Sequence, residues 1–156
     1  MRKISLIKHA TGAPGLRLFG LGPNLMPNNA LEKLKLLFNQ NAFWAKNRNK
    51  NQIRKMLSNS SVIVTIWHKA NLIGFGRATT DQVYRAVLWD IVISKKSQRL
   101  GLGKIILKAL LNDKNIKSVE RVYLMTTNST DFYKKLGFEK NSQQSLLLLD
   151  KTTDKL

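Results

Sequence analysis

The chain has 156 residues, no cysteine, 27 Lys and Arg against nine Asp and Glu, and a formal net charge of +18. That length suits one domain with its own core. The missing thiols exclude disulfides, thiolate metal sites and a Cys nucleophile. The only histidines, His9 and His68, lie far apart in sequence, so metal catalysis is not expected. No apolar run is long enough to span a membrane, and the basic N-terminus lacks the long apolar core of a secretory leader, so the chain is expected to stay where it is made.

The positive field attracts anionic partners. Yet the basic residues are spread along the chain, apart from Lys46-Asn47-Arg48-Asn49-Lys50. Lys and Asn are both abundant, and both come from A/T-rich codons. Part of the charge therefore reads as genomic base composition, and charge alone does not predict a nucleic-acid partner.

In chain order, Gly and Pro punctuate residues 12 to 27, with a first strand expected at Leu16–Leu21. Asn28 or Asn29 is placed to cap a helix over Ala30–Phe38, where Leu31, Leu34 and Phe38 recur at helical spacing. Gln52–Leu57 suggests a second short helix. Ser61–Trp67 and Leu72–Ala78 read as a hairpin, with His68 opening its turn as a solvated side chain. Thr80-Asp81-Gln82 turns into a long strand, Val83–Ile93. A glycine-bearing loop then opens a helix over Lys104–Leu111. Val119–Met125 reads as a strand by its β-branched and aromatic content. A short helix around Tyr133, ended by Gly137, and a last strand around Ser145–Leu149 complete the pattern. The elements describe an α/β chain with a mixed sheet and helices packed on it. An irregular segment over 1–27 precedes a single domain over 28–150, and 151–156 is a tail.

The loop Gln98-Arg99-Leu100-Gly101-Leu102-Gly103 carries the strongest functional signal. Glycine lets a ligand approach the main chain closely, and a helix start offers unpaired N–H groups and a positive dipole end. A Walker loop does not fit: the glycine five residues before Gly103 is absent, and Ile105 replaces the hydroxyl. A dinucleotide fingerprint lacks its third glycine, where Ile106 stands, and belongs to a first βαβ unit. The remaining structural alternative is a turn whose glycines only let strand and helix pack closely.

Gln98, Gly101 and Gly103 fall on the pattern Gln/Arg-x-x-Gly-x-Gly/Ala, which resembles the acyl-CoA loop of the GNAT acetyltransferase superfamily. Asn128, followed by Phe132-Tyr133-x-x-Leu136-Gly137-Phe138, is similar to the second signature of that superfamily. Further stretches, Leu72–Asp81 and Trp89-Asp90-Ile91-Val92-Ile93, resemble its plastid and cyanobacterial branch, whose land-plant members acetylate protein amines and are also described as serotonin N-acetyltransferases. The chain departs from the pattern at Ser94-Lys95-Lys96 and at Arg99.

The resemblance implies the acyl-CoA N-acyltransferase fold: a central, mostly antiparallel sheet with one splayed parallel pair and flanking helices. It implies acetyl-CoA as cosubstrate and no metal. Pantetheine would pair with the main chain of Ile91, Val92 and Ile93. Gln98, Arg99, Leu100, Gly101, Leu102, Gly103 and Lys104 would wrap the pyrophosphate, with Arg99 either adding charge or merely solvated. Asn128 would bond pantetheine or cap the following helix. Tyr133 matches the tyrosine beside the CoA sulfur, its alternative being a core residue packed with Phe132. Asp90, an acid in an apolar strand that needs a partner or a purpose, is either the base for the amine or the partner of Arg77 or Arg85.

The implied reaction is acetyl transfer to a primary amine of a protein or an arylalkylamine, by direct attack in a ternary complex. The acceptor pocket is assigned to Leu16–Leu37 and the Asp81 turn. The competing function is a non-catalytic basic module of the same fold that binds RNA or the ribosome. Plastid stroma is the implied compartment, and a monomer or homodimer the implied state.

Overall fold

Five strands form one mixed sheet, hydrogen-bonded in chain order: β1 (Ser5–Lys8), β2 (Val62–His68), β3 (Asn71–Thr80), β4 (Arg85–Ile93) and β5 (Arg121–Leu124). The computed structural model describes residues 3–152. It has two compact units, Met1–Met125, which holds the whole sheet, and Thr126–Leu156. The first three strand pairs are antiparallel and β4–β5 is parallel, the mixed sheet expected from the sequence.

Layering follows from side-chain alternation. On β3, Phe75 points to one face, where its ring meets Phe38 edge-on at 5.3 Å. Phe38 belongs to α2 (Ala30–Asn41), and Leu34 and Phe38 are fully buried there. Gly74 and Gly76 point to the other face, under α4 (Leu102–Leu111). A Cβ on Gly76 would lie 2.5 Å from the Ile106 side chain, so glycine is what lets α4 approach the sheet. With both faces covered, β2 is buried from Val62 to Trp67, which explains its near-continuous apolar sequence.

α3 (Lys50–Ser58) starts from a capping box. The Gln52 N–H donates to the Asn49 side chain at 2.8 Å, and the Asn49 N–H donates back to Gln52 at 3.2 Å. Asn29 occupies the N-cap position of α2 without making a side-chain cap bond; the Asn28 side chain instead accepts from Lys33 Nζ.

Three expectations need correction. Leu16–Leu21 is not a strand: α1 (Pro14–Phe19) occupies it. Pro14 presets the first helical turn, and Gly20 (φ 63°) ends the helix with its N–H donating to the Leu16 carbonyl at 3.1 Å. The long strand begins at Arg85 rather than Val83, because Asp81 Oδ1 accepts the N–H groups of Val83, Tyr84 and Arg85 at 2.7–3.0 Å and holds a turn there. Ser145–Leu149 forms no strand. Its four leucines are exposed, and a continuous apolar run becomes a strand only with a ladder partner and burial.

The sequence reading gave no strand to Ser5–Lys8, a mostly exposed edge of four residues whose signal is too short to register. In the second unit, α5 (Thr130–Lys134) follows Ser129, and Gly137 adopts φ 97°. The 151–156 tail lies largely outside the described residues.

A half-buried histidine joins the sheet to the segment after β1. His9 Nε2 lies 2.8 Å from Thr65 Oγ1, which also accepts from Trp67 Nε1 at 2.9 Å. Burial lowers the His9 pKa from 6.5 to about 4. A histidine whose folded pKa lies below its unfolded value stabilises the fold fully above the unfolded value, and the contribution is lost as pH falls toward the folded one. Urea unfolding is therefore expected to show stability declining by about 2 kcal/mol between pH 6.5 and 4, and His9→Gln to flatten that slope.

Candidate active site

The parallel ladder between β4 and β5 ends at Leu88↔Leu124, while β4 continues to Ile93 along β3. From Trp89 onward β4 therefore has an open edge on the β5 side. The departure coincides with a bulge: Phe75 pairs with Val92 and Arg77 with Trp89, so Asp90 and Ile91 together face Gly76. Asp90 takes φ 52° there. Bulges bend a strand and increase its twist, and this one turns β4 away from β5. Beyond it, the Ser94 N–H bonds the Ile73 carbonyl on β3 at 2.8 Å. By alternation the main chain of Ile93 faces the open edge, and the Gln98 side chain donates to its carbonyl at 3.3 Å.

The Asp90 carboxylate is fully engaged. Oδ1 accepts from Trp44 Nε1 at 2.9 Å and Arg48 Nη2 at 3.2 Å. Oδ2 accepts from Arg48 Nη1 at 3.0 Å and Arg77 Nε at 2.8 Å. Four donors occupy the four acceptor sites of a carboxylate. Burial pushes its pKa up, but the hydrogen bonds and charges of Arg48 and Arg77 outweigh that and hold it below the usual range. Such a group has no lone pair free to take a proton from an amine, so the geometry speaks against Asp90 as base. Arg77 is its partner; Arg85 instead bonds Glu120 at 3.3 Å. Sequence reading missed Trp44 and Arg48. The only signal was a buried acid needing compensation, and that does not say which distant cation supplies it.

Past Ile93, a 3-10 turn (Lys95–Ser97) buries Ser97 and delivers the chain to Gln98. Arg99 (φ 66°) and Gly101 (φ 78°) are both left-handed. Gly101 is the N-cap position of α4, with no side chain capping it. The first-turn N–H groups of Leu102, Gly103 and Lys104 thus lack intrahelical acceptors. A Cβ on Gly101 would meet nothing within 4 Å, so at this position glycine serves the left-handed turn and open access to the main chain rather than close packing. The side chains of Gln98, Arg99, Leu100 and Lys104 are exposed around it, whereas Leu102 is buried and anchors the helix. An anion is what this arrangement can hold. Ile91, Ile93 and the residues from Gln98 to Lys104 are thus brought together along one edge, whereas the main chain of Val92, expected there with them, faces Phe75 on β3.

In the second unit, Tyr133 sits between Phe132 and Phe138, with ring centroids 5.0 and 6.0 Å away. Burial raises its phenol pKa above the ordinary 10, so it stays protonated at neutral pH. Asn128 is exposed, and its Oδ1 accepts from the Ser129 hydroxyl at 3.3 Å; α5 has no side-chain cap bond.

A mixed sheet in chain order with one parallel pair, β4–β5, and helices packed on it is the class of fold the chain presents. The family model described as "Acetyltransferase (GNAT) family" matches residues 31–138, and the chain belongs to that family. The uncharacterized N-acetyltransferase ycf52 of Pyropia yezoensis is 36% identical over 103 residues, covering 63% of this chain and 59% of that protein. The protein named serotonin N-acetyltransferase 2, chloroplastic, of Oryza sativa subsp. japonica is 31% identical over 99 residues, covering 58% of this chain and 48% of the relative. The matched stretch thus spans less than two thirds of either relative. Among solved structures, the GNAT family protein SP0256 of Streptococcus pneumoniae TIGR4 superposes with a TM-score of 0.70 at 21% identity, covering 96% of this chain and 99% of its own.

The Asp90 cluster yields a stability test independent of any activity. Its side chain is 5% exposed, against 27% and 15% for Arg48 and Arg77. Removing the charge leaves two guanidinium groups facing a neutral amide. Asp90→Asn is expected to lower the unfolding free energy by about 2–4 kcal/mol in urea titration; a change below about 0.5 kcal/mol would contradict the four-donor geometry.

Proposed function

We propose that the chain transfers an acetyl group from acetyl-CoA to a primary amine by direct attack in a ternary complex. The observation that carries this reading is the continuity of the open β4 edge with the left-handed loop at the start of α4. An extended pantetheine needs free main-chain partners, and the diphosphate attached to it needs N–H groups one strand-end away. Ile91 and Ile93 fit the first need and the amides of Gly101 to Lys104 the second.

In this reading the neutral amine attacks the thioester carbonyl, the C–S bond breaks, and the departing thiolate takes a proton. Tyr133, at the position of the superfamily's tyrosine, is assigned as the donor: a phenol above pKa 10 still carries its proton at neutral pH and gives it to the sulfur as the C–S bond breaks. Asp90 braces the bulge and does not act as the base. The nitrogen, positively charged once it has attacked, gives its proton to water, and that proton balances the one Tyr133 gave, returning the phenolate to phenol. Asn128 is assigned to the pantetheine rather than to a helix cap, in keeping with its lack of a cap bond. The chloroplastic rice relative supports the plastid stroma as the compartment.

The test is acetyl-CoA turnover against a panel of peptides, polyamines and aromatic amines. Tyr133→Phe is expected to lower kcat about a hundredfold with little change in the KM for acetyl-CoA. An unchanged kcat would remove Tyr133 from proton transfer, and absence of turnover with every amine would overturn the acetyltransferase reading.

A further inference from the structure

Beside the bulge lies a groove of ≈ 460 Å³ between α3 and the α2-side face of β3 and β4. Lys55 and Met56 of α3, Arg77 and Thr79 of β3, and Trp89 of β4 contribute to its walls, and among the described residues none that lines it is acidic. Trp89 immediately precedes Asp90, so the groove begins one residue from the point where β4 leaves β5. Its indole is held in place: Nε1 donates to Thr79 Oγ1 at 2.9 Å, and the Arg77 guanidinium stacks over the ring at 5.7 Å.

Arg77 decides the groove's chemistry. Of its five N–H donors, Nε goes to Asp90 and one on Nη1 goes to Ser60 Oγ at 3.4 Å. The rest of the guanidinium makes no hydrogen bond among the described residues, although the side chain is only 15% exposed. Lys55 adds a second positive charge on the opposite wall. The Asp90 carboxylate, next to Trp89 in the chain, is shared between Arg48 and Arg77. Three cations against one anion leave this corner net positive, in a chain of net charge +18. A basic peptide or a polyamine is repelled here; a carboxylate is attracted, and Arg77 still has donors for it.

We propose that this groove is an anion subsite for the acceptor, so that the preferred acceptors are amines whose neighbouring residues carry Asp or Glu. Arg77 and Lys55 bind the carboxylate while Trp89 supports the peptide's apolar part. The inference rests on the acetyltransferase reading and narrows its substrate class.

The experiment uses the intact chain, acetyl-CoA, and equal-length peptides differing only in the residues beside the acceptor amine: acidic, neutral or basic. The expected order of kcat/KM is acidic, then neutral, then basic, with about a tenfold total span that shrinks as salt rises. Lys55→Glu is expected to erase or invert the order while leaving the KM for acetyl-CoA unchanged, and Lys55→Gln to give an intermediate span. Equal kcat/KM across the peptides, or a preference that neither Lys55 variant moves, overturns the anion subsite while leaving acetyl transfer standing. No turnover with any of the three peptides overturns the anion subsite, and acetyl transfer falls with it only when polyamines and aromatic amines also fail to turn over.

Discussion

One buried carboxylate holds the working end of the sheet in shape. Asp90 stands at a β-bulge with its backbone in a left-handed conformation, which costs an L-residue about 1–2 kcal/mol. Its four hydrogen bonds gather Arg77 from the neighbouring strand and Trp44 and Arg48 from the connection after α2. Because those donors come from separate stretches of chain, they fix the bulge from two sides. The bulge bends β4, the parallel ladder to β5 stops at Leu88, and the main chain beyond it is left to a ligand. The charged group that draws the eye as a catalyst is on this account a brace.

On the proposed reading the open strand edge and the loop at the start of α4 are two halves of one binding surface, joined by the 3-10 turn at Lys95–Ser97. The strand edge offers extended main-chain partners, suited to a linear amide chain. The loop offers the first-turn amides of a helix behind two left-handed residues, suited to a compact anion. A molecule with a flexible amide arm ending in a diphosphate matches both in sequence. The groove on the other side of Trp89 is lined by Lys55 and Arg77 as well, so on the proposed reading both ends of the site take anions.

What the sequence revealed was local in origin. Gln98, Gly101 and Gly103 lie within six residues, and a left-handed glycine before a helix has a compositional signature that needs no tertiary information. The hairpin of β2 and β3, and helices α2, α3 and α4, were similarly readable from apolar pattern, although the Asn cap expected at α2 makes no side-chain cap bond and the Asn49 capping box of α3 was not foreseen. The rest depended on distance. Nothing in the spacing of Trp44, Arg48 and Asp90 shows that they meet, since 42 and 46 residues separate them. The segment Leu16–Leu21 alternates well enough to suggest a strand, but Pro14 and Gly20 set a helix between them. Leu146–Leu149 has strand-like content and no ladder, and content alone does not supply hydrogen-bond partners.

The most direct test of the account is amide hydrogen exchange on the unaltered chain, with and without saturating acetyl-CoA. Slowed exchange is expected at Ile91 and Ile93 on the β4 edge and at Gly101 to Lys104 at the start of α4, with the β1–β2 ladder unchanged. Saturable binding that leaves both of those segments exchanging at their free rates would contradict it.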